Sequence, residues 1–145
     1  MDVLSWIVGS DDFIRGPAGD GHFAPVARDD VAVSVLLGKN HSGVTYDVSG
    51  PERLTLHQVA EIVSRVVGRD ITYHAETIEE AYEARASYGA PDWEVEGWVT
   101  SLVGVARGEM DVVSATVGEL TGHPPMGLAE FLRRYPESYR HLVRT

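Results

Sequence analysis

Apolar and polar positions alternate along this chain with the period of helices far more often than that of strands. The clearest case is the run Leu56, Val59, Ala60, Ile62, Val63, Val66 and Val67, spaced to fill one side of a helix from Leu56 to Val67. Thr55 stands at the N-cap with Gln58 three residues on, a capping box. Leu54 and Val59 occupy the positions of a hydrophobic staple, and Gly68 stops the helix. A second box, Thr77 with Glu80, opens a helix to Tyr88, ended by Gly89 and Pro91. Asp92 is placed to cap the next helix, which reaches about Arg107 with Trp98, Val99, Leu102, Val103 and Ala106 at helical spacing. Gly97 and Gly104 inside it suggest a close helix crossing or a bend.

Upstream, the apolar residues Val3 to Val8 read as the tail of an apolar helix or an irregular segment. Asp29 or Asp30 starts a helix with Val31, Ala32, Val35 and Leu36 on one side, ending at Gly38. Downstream come a short helix over residues 115–121, a turn at Thr121–Pro125, and a last helix from Leu128 to Tyr135. Strand candidates are few and short: Phe13–Arg15, Val44–Val48 and Ile71–His74. The pattern is α+β, mostly helical, rather than a full series of strand–helix–strand units. At 145 residues, with no repeat or linker, the chain reads as one domain, residues 1–145.

Charge and composition narrow the partners. The net charge of −10 argues against nucleic acid and anionic membrane as partners, since either requires a basic face. Seven acids lie between Glu76 and Glu96, opposed only by Arg85, the pattern of a solvated helix face. Arg133, Arg134, Arg140 and Arg144 gather near the far end, where they suit helix C-termini. No apolar stretch approaches the roughly 18 residues that cross a bilayer. The acidic start Met1-Asp2 is not that of an export signal. The absence of cysteine excludes thiolate chemistry and fits a cytoplasmic protein.

The run Tyr46-Asp47-Val48-Ser49-Gly50-Pro51-Glu52, followed by Thr55, Gln58 and Ala60, resembles a strand-to-turn-to-helix signature of NmrA-like proteins. These are an atypical branch of the short-chain dehydrogenase/reductase family. Three further stretches resemble the same family in the same order: the glycine-rich hairpin loop Arg15–Gly21, the helix start Ala27–Ala32, and Leu120-Thr121-Gly122-His123-Pro124-Pro125 with Leu128–Leu132. The match is most similar to quinone-reductase-type members. It implies the C-terminal, substrate-lobe half of a member, an incomplete Rossmann-type fold whose whole relatives use NAD(P)H.

The nucleotide-binding signature itself is missing. Gly16, Gly19 and Gly21 give G-x-x-G-x-G, the reverse of the family's order. Pro17 removes a donor, and Phe23 and Pro25 follow where a helix should open. A Tyr-x-x-x-Lys pair is also absent, because Lys39 is the single lysine and Val35 stands four residues before it. The expectation is that this chain alone holds no cofactor and does not reduce a substrate. Met1 would then be a displaced start, or the chain a piece of a longer enzyme.

The resemblance places Tyr82, Tyr88, Trp93 and Trp98, with Arg28, along a cleft for a flat apolar or aromatic ligand. The plain alternative is that these rings pack helix against helix. His74, Glu76 and Asp92 are the candidates for acid–base chemistry, should the chain be a repurposed cofactor-independent isomerase or cyclase. The six histidines show no metal spacing, and neither a G-x-S-x-G elbow nor a P-loop occurs. The strand Val44–Val48 would lack its sheet neighbours, so a homodimer, or a partner supplying the missing sheet, is expected.

Overall fold

The computed structural model describes residues 11–37, 39 and 41–143. The expected apolar start, the helix stop at Gly38 and Arg144 lie outside these residues. Two strands, β1 (Phe13–Gly16) and β2 (Thr72–Ala75), pair in parallel, with Phe13 opposite Thr72 and Gly16 opposite Ala75. Six α-helices accompany them among the described residues: α1 (Arg28–Leu37), α2 (Leu56–Val67), α3 (Ile78–Arg85), α4 (Asp92–Ala106), α5 (Thr116–Thr121) and α6 (Leu128–Arg134). Single 3₁₀ segments follow α3 (Ala86–Tyr88) and α6 (Pro136–Leu142). The expected α+β class, mostly helical with few strands, is therefore what the chain adopts.

Helix α2 is the axis of the main core. Its capping box is formed in both directions: Thr55 Oγ1 accepts from Gln58 N–H, and Gln58 Oε1 accepts from Thr55 N–H at 2.9 Å. Gly68 ends it in the left-handed region at φ 73°, donating its N–H to Ser64 O. Leu56, Val59, Ala60 and Val63 are buried, while Ile62, Val66 and Val67 pack at the edge of the same cluster. Each buried aliphatic side chain of this size contributes about 1.5–3 kcal/mol. The cluster also takes in Ile14 and Tyr73 from the sheet, Val105 from α4 and Leu132 from α6. A second cluster, Ala81, Val95 and Val99, joins α3 to α4.

Several local expectations are corrected. Residues 44–48 form no strand, because no strand lies beside them among the described residues. Val44 and Tyr46 are exposed. The loop after β1 is not the turn of a hairpin, since β1 pairs in parallel with β2. Helix α1 does not bury its apolar side. Asp30 and Ser34 are buried, whereas Val35 is 61% and Leu36 79% exposed. The cause is polar: the Asp30 carboxylate accepts Met126 N–H at 2.7 Å and so fixes the rotation of the helix against the loop before α6.

The first long helix after β2 ends at Arg85 rather than Tyr88, and only a 3₁₀ turn continues. The N-cap of α4 is Pro91, not Asp92, which is its first helical residue. Proline has no N–H to lose at that position, and Asp92 still complements the helix dipole. No close crossing occurs at Gly97, where a Cβ would meet nothing within 4 Å. Gly104 packs instead near Glu109, from its own following turn.

The Tyr46–Thr55 run acts as a seam. Phe23 and Leu54 exchange backbone hydrogen bonds at 2.9 Å in an isolated antiparallel bridge. Gly50 donates its N–H to Ala24 O, and its Cα lies so close to the Pro25 carbonyl that any Cβ would overlap the oxygen. Ser49 Oγ accepts Ser114 N–H at 2.8 Å, and Arg53 forms a two-pronged ion pair with Asp111. The glycine and serine of the motif thus hold segments 23–25 and 111–114 on either side of the entry to α2.

Candidate functional site

The carboxyl ends of β1 and β2 converge on Gly16 and Ala75. In open parallel sheets this is the end at which ligands bind. Gly16 O accepts Glu76 N–H at 3.1 Å and the Tyr73 hydroxyl at 2.7 Å, while that hydroxyl accepts Ala18 N–H at 3.1 Å. Tyr73 therefore closes the glycine-rich turn from beneath, with the His57 ring edge-on at 4.9 Å. Burial pushes the Tyr73 hydroxyl above the usual tyrosine range, against a smaller opposing effect of the Ala18 N–H. The Gly16–Gly21 loop opens no helix, the next one beginning at Arg28. Its Tyr73 contacts make it a structural turn.

Glu76 follows β2 directly and is buried, as is Arg85 at the end of α3. Arg85 Nη1 donates to Glu76 Oε2 at 2.9 Å and to Ala81 O at 2.7 Å, while Nη2 donates to Arg15 O at 3.1 Å. One guanidinium thus ties α3 to β1 and to the residue that follows β2. Beside it, α3 and α4 border a groove of about 380 Å³ lined by Tyr82, Arg85, Ala86, Ala90, Asp92, Val95 and Glu96.

Of the residues proposed from sequence, Tyr82 and Asp92 line this groove. Tyr88 and Trp98 form a tilted ring pair at 6.4 Å, and Trp93 is 73% exposed. Arg28 is exposed at the start of α1, a helix that packs chiefly on α5. His74 is exposed, with its ring edge-on to Phe13 at 6.5 Å. Glu76 is engaged by Arg85 rather than by His74. The sequence reading missed Arg85, Val95 and Glu96. The signal for Arg85 was present: it is the lone base among seven acids, four residues after the buried Ala81 on the same helix face.

No group of three or more His, Cys, Asp or Glu side chains among the described residues is arranged to hold a metal ion. No helix among them is long and apolar enough to cross a membrane.

No family model matches the chain. Individual proteins do. It is 33% identical to quinone oxidoreductase 2 of Escherichia coli over 118 residues, 79% of this chain and 41% of that protein. It is 33% identical over 144 residues to the (4-alkanoyl-5-oxo-2,5-dihydrofuran-3-yl)methyl phosphate reductase of Streptomyces griseus, 95% of this chain and 50% of that one. The NAD(P)H azoreductase of Xenophilus azovorans is 32% identical over 127 residues, 85% of this chain and 44% of that enzyme. Among solved structures, the NADPH-dependent quinone oxidoreductase of E. coli superposes with a TM-score of 0.80 at 29% identity, over 90% of this chain and 48% of that one. The chain therefore spans about half the length of the curated relatives it matches.

Proposed function

We propose that the chain is the substrate-side half of an NmrA-like reductase, since it matches quinone- and azo-reducing proteins over about half their length. In this reading it offers a wall for a flat, weakly polar acceptor and leaves hydride transfer to a nucleotide-binding half. The half-length superposition at a TM-score of 0.80 carries the proposal. Two features support it. The glycine loop after β1 is filled by its own tyrosine. The α3–α4 groove, beside the carboxyl ends of the strands, combines the Tyr82 ring, alanine and Val95 with two carboxylates. NAD(P)H would be the reductant of a complete assembly. The known residues of this chain add substrate contact and exclusion of water rather than a phosphate cradle.

The test is ligand binding by saturation-transfer NMR with menadione, a neutral quinone. Binding lost in a Val95→Asp variant that remains folded supports the reading. Absence of binding by the wild-type chain refutes it.

An association reading is compatible with this one and has its own observation. Val35, Leu36, Val44 and Tyr46 are exposed, and residues 44–48 have no strand neighbour among the described residues. Such a segment suits pairing with a second copy or with a subunit carrying a parallel sheet. Sedimentation equilibrium at micromolar concentration separates a dimer from a monomer, and a monomer counts against self-pairing.

A further inference from the structure

The α3–α4 groove also carries a charge that neither its aromatic wall nor its place in the fold requires. Its lining contains two exposed carboxylates, Asp92 and Glu96, and one guanidinium, Arg85. The guanidinium is not available to a ligand's charge, because Arg85 is buried and its positive charge is answered by Glu76 at 2.9 Å. Arg15, the next cation at the ends of the strands, is paired with Asp11. What remains facing the groove is Asp92 and Glu96 beside the Tyr82 ring, with Val95 and Ala90 as apolar floor.

From this combination of cavity, aromatic wall and unanswered carboxylates, we infer that the groove selects flat aromatic cations over neutral or anionic molecules of the same shape. The inference rests on the reading of the groove as a ligand site and adds the charge class of the ligand. A cation over the Tyr82 ring gains from the ring quadrupole as well as from the carboxylates, while a carboxylated ligand meets repulsion from both. The pairing of Arg85 with Glu76 is what makes the difference. Without Glu76, the Arg85 charge would stand free against Asp92 and Glu96 and offset one of the two carboxylates.

Three probes of one shape test this: N-methylquinolinium, quinoline at mildly alkaline pH where it is neutral, and quinoline-4-carboxylate. Each is titrated into the full chain at low salt and followed by NMR shifts of the Val95 methyl groups. The cation should bind about tenfold more tightly than quinoline, and quinoline more tightly than the carboxylate. The advantage should shrink severalfold in high salt, because the carboxylates are exposed. In the Asp92→Asn/Glu96→Gln variant, its fold checked by circular dichroism, cation and quinoline should bind to within about twofold of each other. Equal binding of cation and quinoline to the wild-type chain overturns the charge selection and leaves the ligand site standing. So does a preference that survives in the variant. Failure of all three probes to bind removes both.

Discussion

Replacing Arg85 by methionine removes the guanidinium that donates to Glu76, Ala81 O and Arg15 O, and it does so at a site where both charged side chains are almost wholly buried. The Glu76 carboxylate is then left in the interior without its partner. Breaking a buried pair in this way costs about 3–5 kcal/mol, far more than the net worth of the intact pair. Against a total stability of about 5–15 kcal/mol for a domain, that is a large fraction. With a urea dependence of about 2 kcal/mol per molar, the unfolding midpoint should fall by about 2 M. The double variant Arg85→Met/Glu76→Leu should recover at least half of the loss, since it removes the stranded charge as well. Urea unfolding followed by circular dichroism reads both. A loss below about 1 kcal/mol in Arg85→Met, or a double variant no more stable than the single one, would refute the claim that this pair anchors α3 to the strands.

Two glycines should respond in opposite directions. Gly50→Ala forces a Cβ into the Pro25 carbonyl and should cost about 1–3 kcal/mol. Gly97→Ala, open on the exposed side of α4, should gain about 0.5–1 kcal/mol, both read from thermal unfolding. Tyr73→Phe loses the bonds to Gly16 O and Ala18 N–H and should cost about 1–2 kcal/mol at neutral pH. Because the folded-state Tyr73 value is raised, its contribution is complete below the unfolded value near pH 10 and is lost as pH rises through the folded one. The gap between wild type and Tyr73→Phe should therefore narrow in alkaline unfolding titrations. Thr55→Ala breaks the capping box of α2 and should cost about 1 kcal/mol, while Thr55→Ser should restore most of it.

The helices were legible because their signals are local. Thr55 with Gln58 and Thr77 with Glu80 each satisfy orphan N–H groups within four residues, and Gly68 and Gly89 supply left-handed stops at φ 73° and 68°. What the pattern misread depends on distant partners. Val44–Val48 alternates like a strand, yet a strand exists only with a neighbour. The apolar side of α1 points outward because Asp30 is held by Met126, 96 residues away. The candidate site divides the same way. Tyr82 and Asp92 line one groove, because α3 and α4 pack against each other, but Arg28 lies on a helix packed elsewhere. Arg85 was visible as an isolated base, but its link to Glu76 arises only when β2 and α3 fold against one another.

Calorimetric titration of the chain with NADPH, combined with the rate of NADPH oxidation in the presence of menadione, tests most directly the proposal that it is a substrate-side half. No micromolar binding and no oxidation above the protein-free rate are the predicted results. Micromolar affinity accompanied by turnover would contradict it.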